Sequence, residues 1–423
     1  MSEVLTLSGL TRAPQVLGPA VTLPGGPARL VLPGVESSDW GLKAELNLGY
    51  FAHCTAEGVI EALREAGLRG RGGAGFPAHI KWQAVAQAHG DTVVVANGHE
   101  GEPASAKDRW LITRRPHLVL DGLLLAARVT GATRAIVYVS QPDSVAAARR
   151  AIEDVALAGL VPAGVSLEFF ETRGGYVAGE ETSVCRAING GPALPLAKPP
   201  RPFESGVDGK PTLVTNVETL AHAAWIMRYG PAAFRCAGTE DSPGTTLFTL
   251  TGACPDGGVF EAPLGTTVGE LFEAAGGVPG GITALLMGGW FGGVLRGGLD
   301  GLSCSHAEIE AVGSGLGCAA ITAIGPDEDV LSLAADLSGW FEQESSRQCG
   351  VCKNGTKAIH DALHKVVDGD ADPEHGENLA RWGTTLRGRG ACAFLDGAAT
   401  LARSVAPEIA AESGEPQMDG ETR

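Results

Sequence analysis

Between Thr92 and Phe170 the chain alternates short β-branched runs with helical stretches, and this alternation limits the fold more than any other feature. The run TVVVA from Thr92 precedes a helical stretch over about 116–132; AIVYV at 135–139 precedes a second over about 143–160, and VSLEFF at 165–170 follows. Strands separated by helices of this length imply right-handed βαβ crossovers, so an α/β fold with a mostly parallel sheet is predicted. Open sheets of this kind bind ligands outside the carboxyl ends of their strands.

The remaining segments read differently. TTLFTLTG at 245–252, a Gly-Gly turn at 257–258, VFEAPLG, the short helix VGELFEAAGG, and strands near ITALLMGG and CAAITAIG suggest a small mixed sheet around one helix, a ubiquitin-like β-grasp domain. After Pro326 strand signals stop, and four helices over 327–343, 352–368, 374–386 and 392–405 predict a closing helical bundle. The division expected is an N-terminal arm at 1–47, an α/β domain at 48–240, the β-grasp domain at 241–326, the bundle at 327–410 and a polar tail at 411–423. The loop from Lys198, KPPRPFESGVDGKPTLVTNVETL, is read as proline-stiffened, with Thr and Asn side chains able to bond a ligand.

Composition narrows the function. A net charge of −17 argues against a nucleic-acid footprint, which needs clustered Lys and Arg. Nine cysteines in 423 residues are too sparse for a disulfide framework, so reduced thiols or metal ligands are expected. The start, MSEVLTLSGL, lacks the pattern of a secretory signal, and the longest apolar stretch, Leu118 to Val129, is broken by Asp121 and Arg128. A soluble cytoplasmic protein without direct membrane insertion is the expectation.

Four elements carry chemistry. LRGRGGAGFP places glycines at 70, 72, 73 and 75, where absent Cβ atoms let backbone N–H groups approach a phosphate or a flat ring. Asn97 to Pro103 follows the first strand, and its Glu100 and Glu102, backed by Lys107, Asp108 and Arg109, are suited to ribose hydroxyls or a nicotinamide amide; a solvated loop is the plain alternative. GEET, Gly179 to Thr182, has the form of a helix N-terminus with acids in its first turn. The proline-stiffened loop KPPRPFESGVDGKPTLVTNVETL is the fourth.

Taken together, these elements resemble the NADH-binding flavoprotein subunit of respiratory complex I and its relatives in NAD-reducing hydrogenases and NAD-dependent formate dehydrogenases. The resemblance spans roughly 48–410 and includes GRGGAGFP, GEP with KDR, GEET, TNVET, SGLG at 314–317 and the cysteine region. It implies an NADH dehydrogenase with FMN held by Gly70, Gly72, Gly73, Gly75, Lys81, Asn97, His99, Glu100, Gly179, Glu180, Val214, Thr215 and Asn216. It also implies NADH contacts at Phe76, Glu102, Glu181, Lys198 and Arg201, with Glu102 and Glu181 positioning the nicotinamide and no side chain acting as acid or base. Arg201 and Ala84 stand where the family commonly carries aromatic residues, so Arg201 meets either adenine or a 2′-phosphate, and NADPH is a second candidate substrate. His99 replaces an acidic residue, which removes a negative charge near FMN.

The family's cluster loop has the form C-x-x-C-x-x-C; here Ser346 occupies the first position, followed by Cys349 and Cys352, and the fourth ligand matches Cys392. Three outcomes stay open: Ser346 or another oxygen completes a [4Fe–4S] cluster, the cluster loses an iron, or none is held. Zinc on Cys349 and Cys352 with His360 or His364 is a rival, and a redox disulfide a weaker one. The cysteines at 54, 185, 236, 254, 304 and 318 are expected to be buried small hydrophobes. The implied partner is an electron-accepting protein, a ferredoxin-like subunit or a membrane-associated reductase, within a hetero-oligomer. A non-catalytic structural or regulatory relative, and a glycan- or cobalamin-binding module, are the alternatives from other classes.

Overall fold

A computed structural model of the chain describes residues 12–13, 17–37, 40–51, 56–370 and 372–412. Among them are ten strands: β1 (Val21–Thr22), β2 (Thr92–Asn97), β3 (Ala132–Val139), β4 (Ser166–Glu171), β5 (Thr212–Asn216), β6 (Thr245–Gly252), β7 (Gly258–Pro263), β8 (Ala284–Met287), β9 (Val294–Arg296) and β10 (Ala320–Ile324).

The alternating segments form the expected parallel sheet, in the order β4-β3-β2-β5. Val93, Val94, Val95 and Ala96 of β2 are fully buried, which is why TVVVA reads as a continuous apolar run rather than an alternating one. The helix Pro116–Thr130 begins with proline at its first turn and stops where Gly131 takes a φ of +67°. The helix Pro142–Leu157 covers the next crossover. β5 corrects the expected loop: the prolines end at Pro211, whose carbonyl accepts from Val93 N at 3.0 Å, and TLVTN then pairs along β2. Proline is compatible with the residue just before a strand, so the segment is loop only as far as 211. Connections from β2 run toward β3, whereas the connection from β4 returns to β5 on the other side. The switch point therefore lies between β2 and β5, whose last residues, Asn97 and Asn216, are register partners.

The second sheet is mixed, ordered β1-β7-β6-β10-β8-β9, with an antiparallel β6–β7 hairpin and β10 parallel to β6. The helix Val268–Ala274 starts with a capping box between Thr267 and Glu270. The N-terminal arm is woven into this sheet through β1, and the N–H groups of Arg29, Leu30 and Val31 all donate to the buried Glu261 carboxylate at 2.8–3.0 Å. Arg115, itself buried, ties the arm down by donating to the Arg29 carbonyl and to both oxygens of Glu45.

The last four helices are Val330–Glu344, Gly350–Val367, Glu374–Thr385 and Phe394–Glu412. The final helix runs past the expected end at 405 and continues through Pro407. An aromatic cluster joins the three parts of the molecule: Tyr176 from the loop after β4 stacks on Phe291 at 4.5 Å, and both rings meet Trp340 and Phe394 of the C-terminal helices at 5.4–6.1 Å. Among the described residues no helix is long and apolar enough to cross a membrane. The expected tail from residue 413 onward lies outside the described residues.

Candidate functional site

The glycine loop is pinned at its base, where Gly70 N donates to the Phe76 carbonyl at 2.8 Å and Ala78 N to that of Leu68 at 2.9 Å. Gly73 and Gly75 adopt φ of +112° and +60°, a region that side chains disfavour. A Cβ on Gly72 would stand 3.2 Å from that of Asn216, and one on Gly75 would stand 3.0 Å from the His306 ring, so the loop rests against the switch point and the second sheet. At Gly73, by contrast, nothing comes closer than 4.0 Å, leaving that stretch of backbone clear for a ligand. Arg71 turns inward: its N–H donates to Thr219 at 2.9 Å and its guanidinium to the Thr245 carbonyl at 3.0 Å. Phe76, at the loop's far end, is 51% exposed.

The asparagines at the strand ends brace loops. Asn97 donates to the Gly179 carbonyl at 2.8 Å and accepts from His99 N, and Asn216 donates to Asp108 at 2.6 Å while capping the helix Val217–Tyr229 through Glu218 N. Val214 and Thr215 are buried in β5. Beneath Asn216 lies a buried charge cluster in which Lys107 reaches Asp108 at 2.7 Å and Glu218 at 2.9 Å. Burial raises the Asp108 carboxyl against the pull of Lys107; for Glu218 burial is outweighed by Lys107, His222 and Arg71, which hold it low. Lys107 and Asp108 thus support the loop from below rather than reaching for ribose, and Arg109 is paired with Asp143 at 2.7 Å.

His99 spans two loops, with Nδ1 2.9 Å from Ser140 Oγ and Nε2 3.1 Å from the Gly175 carbonyl. Burial pushes its pKa down to about 4 despite that carbonyl, so the ring is neutral at physiological pH. A cavity of about 340 Å³ opens beside it over the ends of β2, β3 and β4, lined by His99, Ser140, Thr172, Arg173, Tyr176 and Glu344 among others. Glu100 accepts from the N–H groups of Asp108 and Arg109 at 3.1 and 3.0 Å, fixing the start of the helix Lys107–Arg114. Glu102 is buried, accepts from Ala104 N and Trp290 N at 3.3 Å, and is pushed up to about 8 by burial. Neither glutamate belongs to a solvated loop.

Glu180 caps the helix Glu181–Ile188 by accepting from Thr182 N and Ser183 N. Its other oxygen meets Lys198 at 2.6 Å; Lys198 lies 3.6 Å from Glu181, which Lys81 binds at 3.0 Å. Burial opposes ionisation of Glu181, but the two lysines hold it below the ordinary carboxylate range. Arg201 is exposed, and its backbone N–H donates to Glu204.

At the helical end, Cys349 precedes the helix Gly350–Val367, Cys352 lies in its first turn and Cys392 stands just before Phe394–Glu412. Burial raises the Cys392 thiol against the lowering effect of a backbone bond from Phe394, and Cys352, Glu180 and Cys349 raise it further. The hydroxyl facing Cys352 is that of Ser345, with Oγ 3.4 Å from Sγ; Ser346, the expected oxygen, is partly exposed beside it. Arg347 N donates to Ser345 Oγ, and in the Oγ–Sγ contact either the hydroxyl or the thiol can donate. His360 and His364 pack on each other, and His360 faces Ser338 and Glu342 rather than the cysteines. Among the described residues no three His, Cys, Asp or Glu side chains converge on a single ion. Of the other cysteines, Cys185 and Cys304 are buried as expected, Cys254 and Cys318 only partly; Cys236 is exposed, against expectation, and Cys54 lies outside the described residues.

The clear backbone at Gly73 and the paired lysines and glutamates around 180 fit a bound flavin, and thiolates such as Cys349, Cys352 and Cys392 are the donor type of an iron–sulfur cluster, although the three do not converge on one point here. Fold and site together define an oxidoreductase polypeptide that carries both cofactors on one chain. Residues 63–225 match the Nuo51 FMN-binding domain, and residues 332–413 match the NADH-ubiquinone oxidoreductase-F iron–sulfur binding region. The chain is 33% identical over 372 residues to the F-type subunit, form 2, of the NADH-quinone oxidoreductase of Rhizobium meliloti, covering 85% of this chain and 88% of that one. It is 32% identical over 365 residues to the F-type subunit of the NADH-quinone oxidoreductase of Aquifex aeolicus, covering 82% and 83%. A crystal structure of NAD+-reducing [NiFe]-hydrogenase superposes with a TM-score of 0.80 at 30% identity, covering 90% of this chain but 66% of that chain. The chain belongs to the family of F-type subunits of NADH-quinone oxidoreductase, with FMN and a 4Fe–4S cluster as its cofactors and NADH as the substrate that fits.

Proposed function

We propose that the chain is the NADH-oxidising subunit of a hetero-oligomer and passes electrons to a separate electron-accepting protein. FMN, when bound, supplies the conversion from a hydride's electron pair to single electrons. Gly70, Gly72, Gly73 and Gly75 offer it backbone without side chains, braced by Asn97 and Asn216, while Val214 and Thr215 hold the adjoining edge. Lys81, Glu180, Glu181 and Lys198 form a charge-balanced rim beside Gly179, with neutral His99 and helix-fixing Glu100 at the same end of the sheet. Phe76 presents an exposed ring suited to adenine, Arg201 an exposed guanidinium, and Glu181 a carboxylate able to position the nicotinamide end. Glu102 orders the turn at Trp290, so its positioning of nicotinamide is indirect in this conformation.

Cys349, Cys352 and Cys392 hold the cluster, with Ser346 as the oxygen at the position where a fourth cysteine is missing. The strand order around helix Val268–Ala274 supports the β-grasp reading of 241–326, and the contacts of the last four helices support the bundle at 327–410, beside the 48–240 domain and the 1–47 arm. One observation carries the reading: Gln348, beside Cys349, donates to the Pro195 carbonyl at 2.8 Å and accepts from Arg186 at 3.1 Å, so the cluster loop is bonded directly to the helix that Glu180 caps. The test is anaerobic purification with flavin and iron analysis and low-temperature electron paramagnetic resonance of the NADH-reduced protein. Stoichiometric flavin that bleaches with NADH is expected; colourless protein that cannot be reconstituted would overturn the reading in favour of a non-catalytic relative.

A further inference from the structure

The chain carries 49 Asp and Glu against 32 Lys and Arg, yet the two loops bearing the cysteines reverse that balance. Residues 345–353, SSRQCGVCK, contain Arg347 and Lys353 and no acid; residues 386–393, LRGRGACA, contain Arg387 and Arg389 and no acid. All four cations are exposed, and none enters an ion pair among the described residues, whereas Lys357 one turn further on is held by Asp361 at 2.7 Å. Of the neighbouring carboxylates, Glu180 is paired with Lys198 at 2.6 Å and Glu344 accepts from Tyr176 N at 3.0 Å, while Asp396 accepts from Gly388 N at 2.7 Å between Arg387 and Arg389, leaving the two loops with four cations against this one acid.

These cations sit on two adjoining loops. Each stands within five residues of a cysteine, which limits its reach from that cysteine to less than about 18 Å even for extended chain. The loops lie side by side, since a Cβ on Gly355 would stand 3.0 Å from Leu386. Cys349 and Cys392 are both partly exposed on this side. Arg347 holds a φ of +56°, where glycine would be easier to accommodate, so the position keeps a guanidinium against backbone preference.

We propose that this basic rim is the docking surface for the electron-accepting protein, which presents an acidic face around its own redox centre. The inference rests on the proposed function. The transfer moves one electron to the partner's oxidised centre and breaks no bond, with NADH as the ultimate donor. Opposite charges around the two centres would steer encounter and fix the approach over the cluster.

The test uses the cofactor-loaded full chain and an acidic [2Fe–2S] ferredoxin as probe, with a small neutral quinone as control acceptor. In the variant combining Arg347→Glu, Lys353→Glu, Arg387→Glu and Arg389→Glu, ferredoxin affinity and reduction rate at low salt should fall at least about tenfold and lose their salt dependence. NADH–quinone activity and iron content should hold. Substituting the four with Gln should give an intermediate loss, which guards against misfolding of the reversed variant. Unchanged ferredoxin affinity in the reversed variant would overturn the proposal, as would binding to phosphatidylserine vesicles without binding to ferredoxin. Absent NADH–quinone activity in the unaltered chain would instead overturn the function reading, while the ferredoxin titration still decides the rim.

Discussion

The glycine loop and the cysteine loops, proposed to serve the flavin and the cluster, are held in different ways. Around Gly70 to Gly75 the ligand-facing surface is backbone, and the polar groups near it are bonded to one another: Asn97 to Gly179, Asn216 to Asp108, Glu181 to Lys81. Around Cys349 and Cys392 the ligand-facing groups are side chains, and the loops are tied at few points, chiefly Gln348 to Pro195 and Gly388 to Asp396. The polar groups around the first region already bond to one another, whereas the second offers its thiols as the donors a cluster would need.

Removing a thiol should break this contrast most sharply. Cys392→Ala should abolish the cluster signal in electron paramagnetic resonance and lower one-electron acceptor turnover by more than the roughly 10–100-fold typical of outer-sphere changes at metal sites, yet leave flavin content intact. Loss of flavin as well would show the regions to be one cooperative site. In the other direction, Ser346→Cys should complete the set and raise iron per chain in metal analysis, whereas Ser345→Ala, which deletes the hydroxyl at Cys352, should lower the cluster's reduction potential by redox titration. A full iron complement in the unaltered chain would show that the serine already suffices.

On the backbone side, Gly73→Val should cost about 1–3 kcal/mol in thermal unfolding and reduce the flavin-to-protein ratio, because a β-branched residue disfavours a φ of +112°. The buried acid beneath supplies a pH test. Burial raises Glu102 from 4.5 to about 8; between these values the unfolded chain gives up a proton that the folded chain keeps, so stability falls as pH rises through that window. Glu102→Gln should flatten the decline in unfolding free energy measured across it. The smallest effect is expected at Arg201, where Arg201→Ala should raise the KM for NADPH a few-fold, about 1 kcal/mol or less for an exposed pair, and the KM for NADH less.

The sequence made regular periodicity legible. The parallel strands and their helices, the β6–β7 hairpin and the four closing helices all lie close to their expected places because apolar spacing alone specifies them. β5 was hidden by the prolines before it, although the β-branched run TLVT was the available signal. The buried charges Arg71, Lys107, Asp108 and Glu218 were hidden for a different reason: burial of an ion depends on partners distant in sequence, and Lys107 finds Glu218 only after folding. Likewise the family resemblance marked the cluster loop, but not that Ser345, one residue before the expected oxygen, is the one that meets a sulfur.

The aromatic cluster around Tyr176 bears on how this chain can be dissected. Tyr176, Phe291, Trp340 and Phe394 come from three segments that would be separate pieces in any truncation. Excising the C-terminal helices would strip the stacked Tyr176 and Phe291 of their cover and bare the matching rings on the fragment, so each half expressed alone should tend to aggregate. Evolutionary exchange of the cluster-bearing part between relatives would face the same obstacle, since a transplanted segment must bring rings that fit those already in place.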